Sequence, residues 1–143
     1  MTIRRIATAF SLIGAAFILY IGLSYLVTPE TIATGFGLPA VPDGDASAFL
    51  ELKGVRDTVS GLLILALLAT GQRYALGVLT LVMALIPVGD MLTVLHWDGS
   101  TATALGVHGL TAVFVALTGA LLLREHQVDV QRTPDVDALA AAA

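Results

Sequence analysis

The sequence contains no cysteine and very little charge, with only 13% of its 143 residues being Asp, Glu, Lys or Arg. Missing thiols exclude a disulfide framework, a thiolate metal site and a cysteine nucleophile, and leave the redox compartment open. A soluble domain is about 25% charged, so this chain cannot cover a core with polar surface. Positive charge is scarce as well: 7 Lys+Arg against 11 Asp+Glu leave a formal net charge of −4. That balance excludes a basic footprint for nucleic acid. No Gly-rich phosphate loop, paired-His helix motif or nucleophile elbow is present. What the chain has is apolar sequence, 57% hydrophobic residues and a mean hydropathy of +0.89. The expectation is an integral membrane protein of one domain.

A membrane-crossing helix needs about 20 apolar residues for a hydrocarbon core of roughly 30 Å. Runs at 6–27, 74–95 and 101–123 meet that need directly. The first follows Arg4-Arg5 like a signal peptide, but it exceeds the 7–15 residues of a signal core and no small-residue cleavage site follows Tyr25. It is therefore expected to remain as a span. A fourth apolar stretch, 59–70, is too short by itself and must extend back to about Phe49. This brings Glu51, Lys53, Arg56 and Asp57 to or below the interface, with Asp45 or Ser47 as the expected cap. The expected fold is all-α: an integral membrane four-helix bundle over residues 1–125, with spans at about 6–27, 49–70, 74–95 and 101–123.

Arg4, Arg5, Arg73, Arg124 and Arg132 fall on one side of that topology, and the opposite loops carry Glu30, Asp43, Asp45 and Asp98. By the positive-inside rule both termini are expected to be cytoplasmic, in a multi-pass protein of the cell membrane. Residues 126–143 are polar and then alanine-rich, and are expected to form a flexible tail. The loop 28–48 is long; Thr28-Pro29-Glu30 has the form of a capped helix start, Gly35 the form of its stop, and Phe36-Gly37-Leu38-Pro39 returns the chain. A short interfacial helix over the outer end of the bundle is expected.

Ionisable residues within a membrane are costly and usually face the bundle interior or a cavity. Helix rise puts Arg56 and Asp57 about 10–12 Å in from Phe49, Asp90 about 9 Å in from His96, and His108 about 10 Å in from Thr101. On the first span that depth corresponds to Tyr20, with Ser24 one turn further out. Lys53, Arg56, Asp57 and Ser60 share about a 100° arc. Thr80, Met83, Pro87, Asp90 and Val94 form one stripe, in which Pro87 is expected to kink the helix below Asp90. Ala104, His108, Ala112, Ala116 and Ala120 form an i+4 row of small residues with Thr111 beside it, a face suited to helix packing or to a homo-oligomer.

Two readings of this level compete. In one, Arg56 pairs with Asp57 or Asp90 to pin a small bundle. In the other, a polar pocket lies beneath the Phe36 loop, with Asp90, Asp57, His108 and Arg56 as catalytic candidates and Tyr20, Ser24, Phe36, Lys53, Ser60 and Thr111 as substrate-binding candidates. Three O/N ligands without a spacing signature do not define a metal site, and none is expected. His96-Trp97-Asp98 is expected to anchor at the headgroups.

The loop from Pro29 to Phe36-Gly37-Leu38-Pro39, Lys53-Gly54-Val55-Arg56-Asp57, Ile86-Pro87-Val88-Gly89-Asp90 and His108-Gly109 together resemble an uncharacterised family of small four-span membrane proteins, similar in turn to the DoxX-like group. The resemblance covers roughly residues 5–124. It implies a four-helix membrane bundle, no settled activity and no stated cofactor. DoxX-like relatives associated with quinone-linked complexes imply a lipophilic partner, such as a quinone, by fold-level analogy. Three functions follow as expectations. The protein is an enzyme acting on a lipophilic small molecule by acid–base isomerisation, cyclisation or epoxide opening, with Asp90 as acid, Asp57 as carboxylate and His108 as proton shuttle. Alternatively, it is a non-catalytic subunit of a membrane complex, or a proton-coupled carrier.

Overall fold

The computed structural model describes the backbone of residues 3–141 and the side chains of residues 3–128. Among the described residues there is no strand, and four long helices form a bundle. Helix α1 is Ile3–Val27, α2 is Pro29–Ala33 and α3 is Ala48–Ala69. Helices α4, Arg73–Met83, and α5, Leu85–His96, make one long rod broken at Ala84. Helix α6, Thr101–Thr103, leads into a π-helical segment, Ala104–Gly109, and then α7, Leu110–Ala141. The first three rods coincide within a few residues with the stretches 6–27, 49–70 and 74–95, and the fourth begins at Thr101 but runs on past 123. The expected tail continues as helix to Ala141; residues 142–143, and all side chains from 129 on, lie outside the described residues.

Among the described residues, three helices are long and apolar enough to cross a membrane: Ile3–Val27, Arg73–His96 and Thr101–Val128. Helix α3 has the length, at 22 residues, but carries four charged side chains in its first half.

The bundle is made of two hairpins. Helix α1 packs chiefly on α3, and α4 on α7, while the hairpins meet mainly through α1 with α7 and α3 with α4. The stripe Ala7, Ser11, Ala15 and Gly22 lets α1 and α3 approach closely, as small residues do in helix pairs in lipid. A Cβ on Gly22 would stand 2.5 Å from the Thr58 backbone nitrogen. Leu76 and Leu122, both fully buried, fill the contact of α4 with α7. Where a kink below Asp90 is expected, the helix is interrupted at Ala84, three positions before Pro87. Pro87 has no N–H for the Met83 carbonyl, and the Ala84 N–H is shared between the carbonyls of Thr80 (3.1 Å) and Leu81 (3.3 Å).

Several expected local details differ. Ser47 precedes α3 without capping it; its hydroxyl donates to Glu30 Oε1 at 3.1 Å, tying the loop to itself. Thr28 does not cap α2 either, because its hydroxyl turns back to the Ser24 carbonyl. Gly35 continues the helical path in a 3₁₀ turn, Thr34–Phe36, and Gly37 ends it at φ 99°. Glycine is needed there for a left-handed backbone. The Gly37 carbonyl then accepts from the Ser100 N–H at 2.8 Å, which latches this loop to the turn before α6.

At the opposite end lies a feature that the sequence reading did not find. Glu125 is 2% exposed and takes both ends of the Arg73 guanidinium, with Arg73 Nε at 3.1 Å from Oε1. Arg73 also donates to the Thr8 hydroxyl at 3.0 Å and to the Arg4 carbonyl at 3.4 Å. One buried ion pair thus joins α1, α4 and α7.

Candidate functional site

Between the two hairpins runs a cavity of about 580 Å³. Its upper end lies under the Phe36 loop and its floor reaches Ser11, Thr80 and Thr118. The polar groups gather at the upper end. Lys53 Nζ lies 2.9 Å from Asp57 Oδ2 and 3.9 Å from Asp90 Oδ2. Its ammonium is held between the rings of Tyr25 and Phe36, each 5.5 Å from the ring centre, a favourable place for a cation.

His108 completes the group. Its Nε2–H donates to the Phe36 carbonyl at 2.9 Å, while Nδ1 lies 4.0 Å from Asp90 Oδ2. A neutral imidazole donates from one nitrogen and accepts at the other. The bond to Phe36 therefore leaves the Nδ1 lone pair on the Asp90 side. The Phe36 ring packs on the imidazole at 4.6 Å between centres. The π-helical segment carries His108; such single-turn π segments are frequent at functional sites.

Asp57, Asp90 and His108 converge as the depth argument expects, and Lys53, Phe36, Ser60 and Thr111 line the same cavity. Arg56, Tyr20 and Ser24 do not. Arg56 is exposed, and among the described residues it makes no ion pair. Lys53, one turn before Asp57, takes the place expected for the arginine. Tyr20 is 63% exposed, and Ser24 spends its hydroxyl on the Tyr20 carbonyl. Tyr25, five positions on and well round the helix, faces the site instead. The expected alanine row holds at Ala104 and Ala112 but drifts off by Ala120, which is exposed, while Thr118, Gly119, Leu122 and Glu125 become buried.

This arrangement separates two substitutions that the sequence alone would rank the other way. Arg56→Gln breaks no ion pair among the described residues and removes an exposed charge from an apolar helix, so it is expected to leave stability unchanged or to raise it. Lys53→Met leaves the buried Asp57 carboxylate unpaired and is expected to cost on the order of 3 kcal/mol. Chemical unfolding of both variants in the same detergent checks the order, and a larger loss for Arg56→Gln would place the ion pair wrongly.

The cavity also reaches the side of the bundle. Ile13 and Phe17 on α1, and Val107 and Leu110 on the π segment and α7, line it and are 46–66% exposed. Below them the Phe10 and Phe114 rings stack at 5.2 Å and close the gap between the same helices. Among the described residues no group of three or more His, Cys, Asp or Glu is placed to hold a metal ion.

Long apolar helices around an internal polar cluster define a small helical membrane protein. The chain belongs to the family described as Domain of unknown function (DUF4267), whose model matches residues 15–122. That match takes in every residue of the upper cluster. No curated protein and no solved structure matches the chain.

Proposed function

We propose that the protein is a multi-pass protein of the cell membrane, with all four long helices crossing and both termini cytoplasmic, and that its cavity takes up an elongated, neutral lipophile and transforms it by acid–base chemistry. The carrying observation is the pairing of a largely apolar cavity with one charged end built from Lys53, Asp57, Asp90 and His108. Asp57 already balances the Lys53 ammonium, and a protonated Asp90 adds no positive charge, so the site holds no spare cation for an anionic head. A carbonyl, hydroxyl or epoxide oxygen suits it. The exposed apolar flank at Ile13, Phe17, Val107 and Leu110 supports entry from the hydrocarbon, not from water. The arginine bias of the loops supports the orientation.

In this reading Asp57 fixes Lys53, and Lys53 holds Asp90 beside His108. Asp90 gives its proton to the substrate oxygen, and His108 Nδ1 takes a proton from a neighbouring carbon or from an attacking hydroxyl. Imidazolium and Asp90 carboxylate, 4.0 Å apart, then exchange the proton and reset the site. Isomerisation, cyclisation and epoxide opening all balance this way without an oxidant.

The test uses protein in lipid nanodiscs, incubated with a total lipid extract of its host membranes. Mass spectrometry follows retained species and products that are isobaric with them or one water heavier. Wild type is expected to retain and convert at least one lipophile. Asp90→Asn is expected to retain it while conversion falls about 10²–10⁴-fold, the usual range for a lost general acid. No retention above protein-free discs, or undiminished conversion by Asp90→Asn, would overturn the proposal.

A further inference from the structure

The floor of the cavity has a chemistry of its own. Ser11, Thr80 and Thr118 line it from α1, α4 and α7, and are only 3%, 5% and 3% exposed. Each hydroxyl donates its hydrogen to the carbonyl four residues earlier: Ser11 to Ala7 at 2.8 Å, Thr80 to Leu76 at 2.7 Å, Thr118 to Phe114 at 2.8 Å. A hydroxyl has one hydrogen to give and two lone pairs to offer. With the hydrogens committed, the three oxygens can only accept.

They also share a depth. Measured from Val27, His96 and Thr101, the ends of their rods nearest the Phe36 loop, all three lie about 24 Å down at the α-helical rise. Asp90 and His108 lie about 9–10 Å down on the same measure. The polar floor is therefore about 15 Å below the polar ceiling, and the wall between is largely apolar, with Ile18, Ile64, Met83 and Phe114 among its residues and the side chains of Ser60 and Thr111 set into it. Backbone-bonded Ser and Thr are ordinary in helices. Three of them, from three helices, on the floor of one cavity are not required by packing alone.

We propose that the ligand of this cavity is polar at both ends: an oxygen head at Asp90 and His108, and a hydrogen-bond donor, a hydroxyl in the simplest case, about 15 Å away at Ser11, Thr80 and Thr118. This rests on the reading of the cavity as a lipophile site and narrows it. A ligand with a bare alkyl terminus satisfies the walls but not the floor; a hydroxyl terminus satisfies both. The floor would then select chain length as well, because a shorter molecule reaches only one end.

Radiolabelled dodecanol, the α,ω-diol of dodecane and the α,ω-diol of octane test this. Retention by protein-loaded nanodiscs is measured against protein-free discs, which corrects for partition into lipid. The dodecane diol is expected to be retained about fivefold better than dodecanol, the gain of roughly one net hydrogen bond. The octane diol is expected to show no such gain. Thr118→Val and Ser11→Ala, both small changes in shape, are expected to bring the diol-to-alcohol ratio toward one. Equal retention of dodecane diol and dodecanol by wild type, or a ratio that neither variant moves, overturns the two-ended ligand and leaves the lipophile site standing. If wild type retains none of the three, the lipophile site falls and this inference with it.

Discussion

Glu125→Leu is expected to destabilise the protein by about 3–5 kcal/mol, because it leaves the Arg73 guanidinium in a nearly closed space without its counter-charge. The pair is placed where loss is most costly. Arg73 is 14% exposed at its side chain and Glu125 2%, and the same guanidinium reaches Thr8 and the Arg4 carbonyl on α1. Arg4 also approaches Glu125 at 3.8 Å, but it is largely exposed and adds little. The double variant Arg73→Met with Glu125→Leu is expected to recover most of the loss, since replacing a whole buried ion pair with apolar side chains is often neutral. Unfolding of wild type, both single variants and the double variant closes a thermodynamic cycle. A single-variant loss below about 1 kcal/mol would mean that water, not Arg73, satisfies the carboxylate.

The second large effect is expected at Gly22. The contact of α1 with α3 has no room for a side chain there: a Cβ would stand 2.5 Å from Thr58 N, 2.6 Å from its hydroxyl oxygen and 3.0 Å from the Asp57 carbonyl carbon. Backbone cannot rotate away as a side chain can. Gly22→Leu is expected to cost about 3 kcal/mol, the upper part of the usual range for overpacking, and Gly22→Ala a large part of that. Because α3 carries Lys53 and Asp57, pushing it outward is also expected to lower lipophile retention. Gly89→Ala is the control, since its methyl group would meet nothing within 4 Å and alanine favours helix. Thermal unfolding and retention, measured together on the three variants, check both parts. A Gly22→Ala protein as stable as Gly89→Ala would contradict the close contact.

Depth was legible in the sequence, and rotation was only partly so. Counting residues inward from the span ends brought Asp57, Asp90 and His108 to one level because helix rise is nearly constant. The stripe Thr80, Met83, Pro87, Asp90 and Val94 likewise faces inward as one unit, since one charged residue among apolar ones marks the protein face. Helix α1 offered no such mark. It is apolar all round, so depth alone pointed to Tyr20, and the close approach at Gly22 instead turns that residue outward and Tyr25, nearer the span end, inward. On α3, four charged residues over seven positions left Lys53 and Arg56 competing for the same acids; the rotation set by Gly54 and Gly61 against α1 gives the inner place to lysine. The clamp at Arg73 escaped notice because arginines near span ends already have a topological explanation. Glu125, next to Arg124 and His126, gave no sign of burial.

The two hairpins touch each other chiefly along α1 with α7 and α3 with α4, and much of the remaining middle of the molecule is cavity wall. In a soluble bundle of this size that middle would be its own hydrophobic centre. On the proposed function, a lipophile held between the hairpins would serve as a fifth packing element, and its chemical potential in the bilayer would enter the folding equilibrium directly: a ligand that binds only the folded form stabilises by mass action. The protein's durability would then be a property of the membrane around it as much as of its own chain. Extraction into a detergent that strips lipophiles would then loosen the hairpins from one another before either one melts, and the bundle would come apart along the cavity.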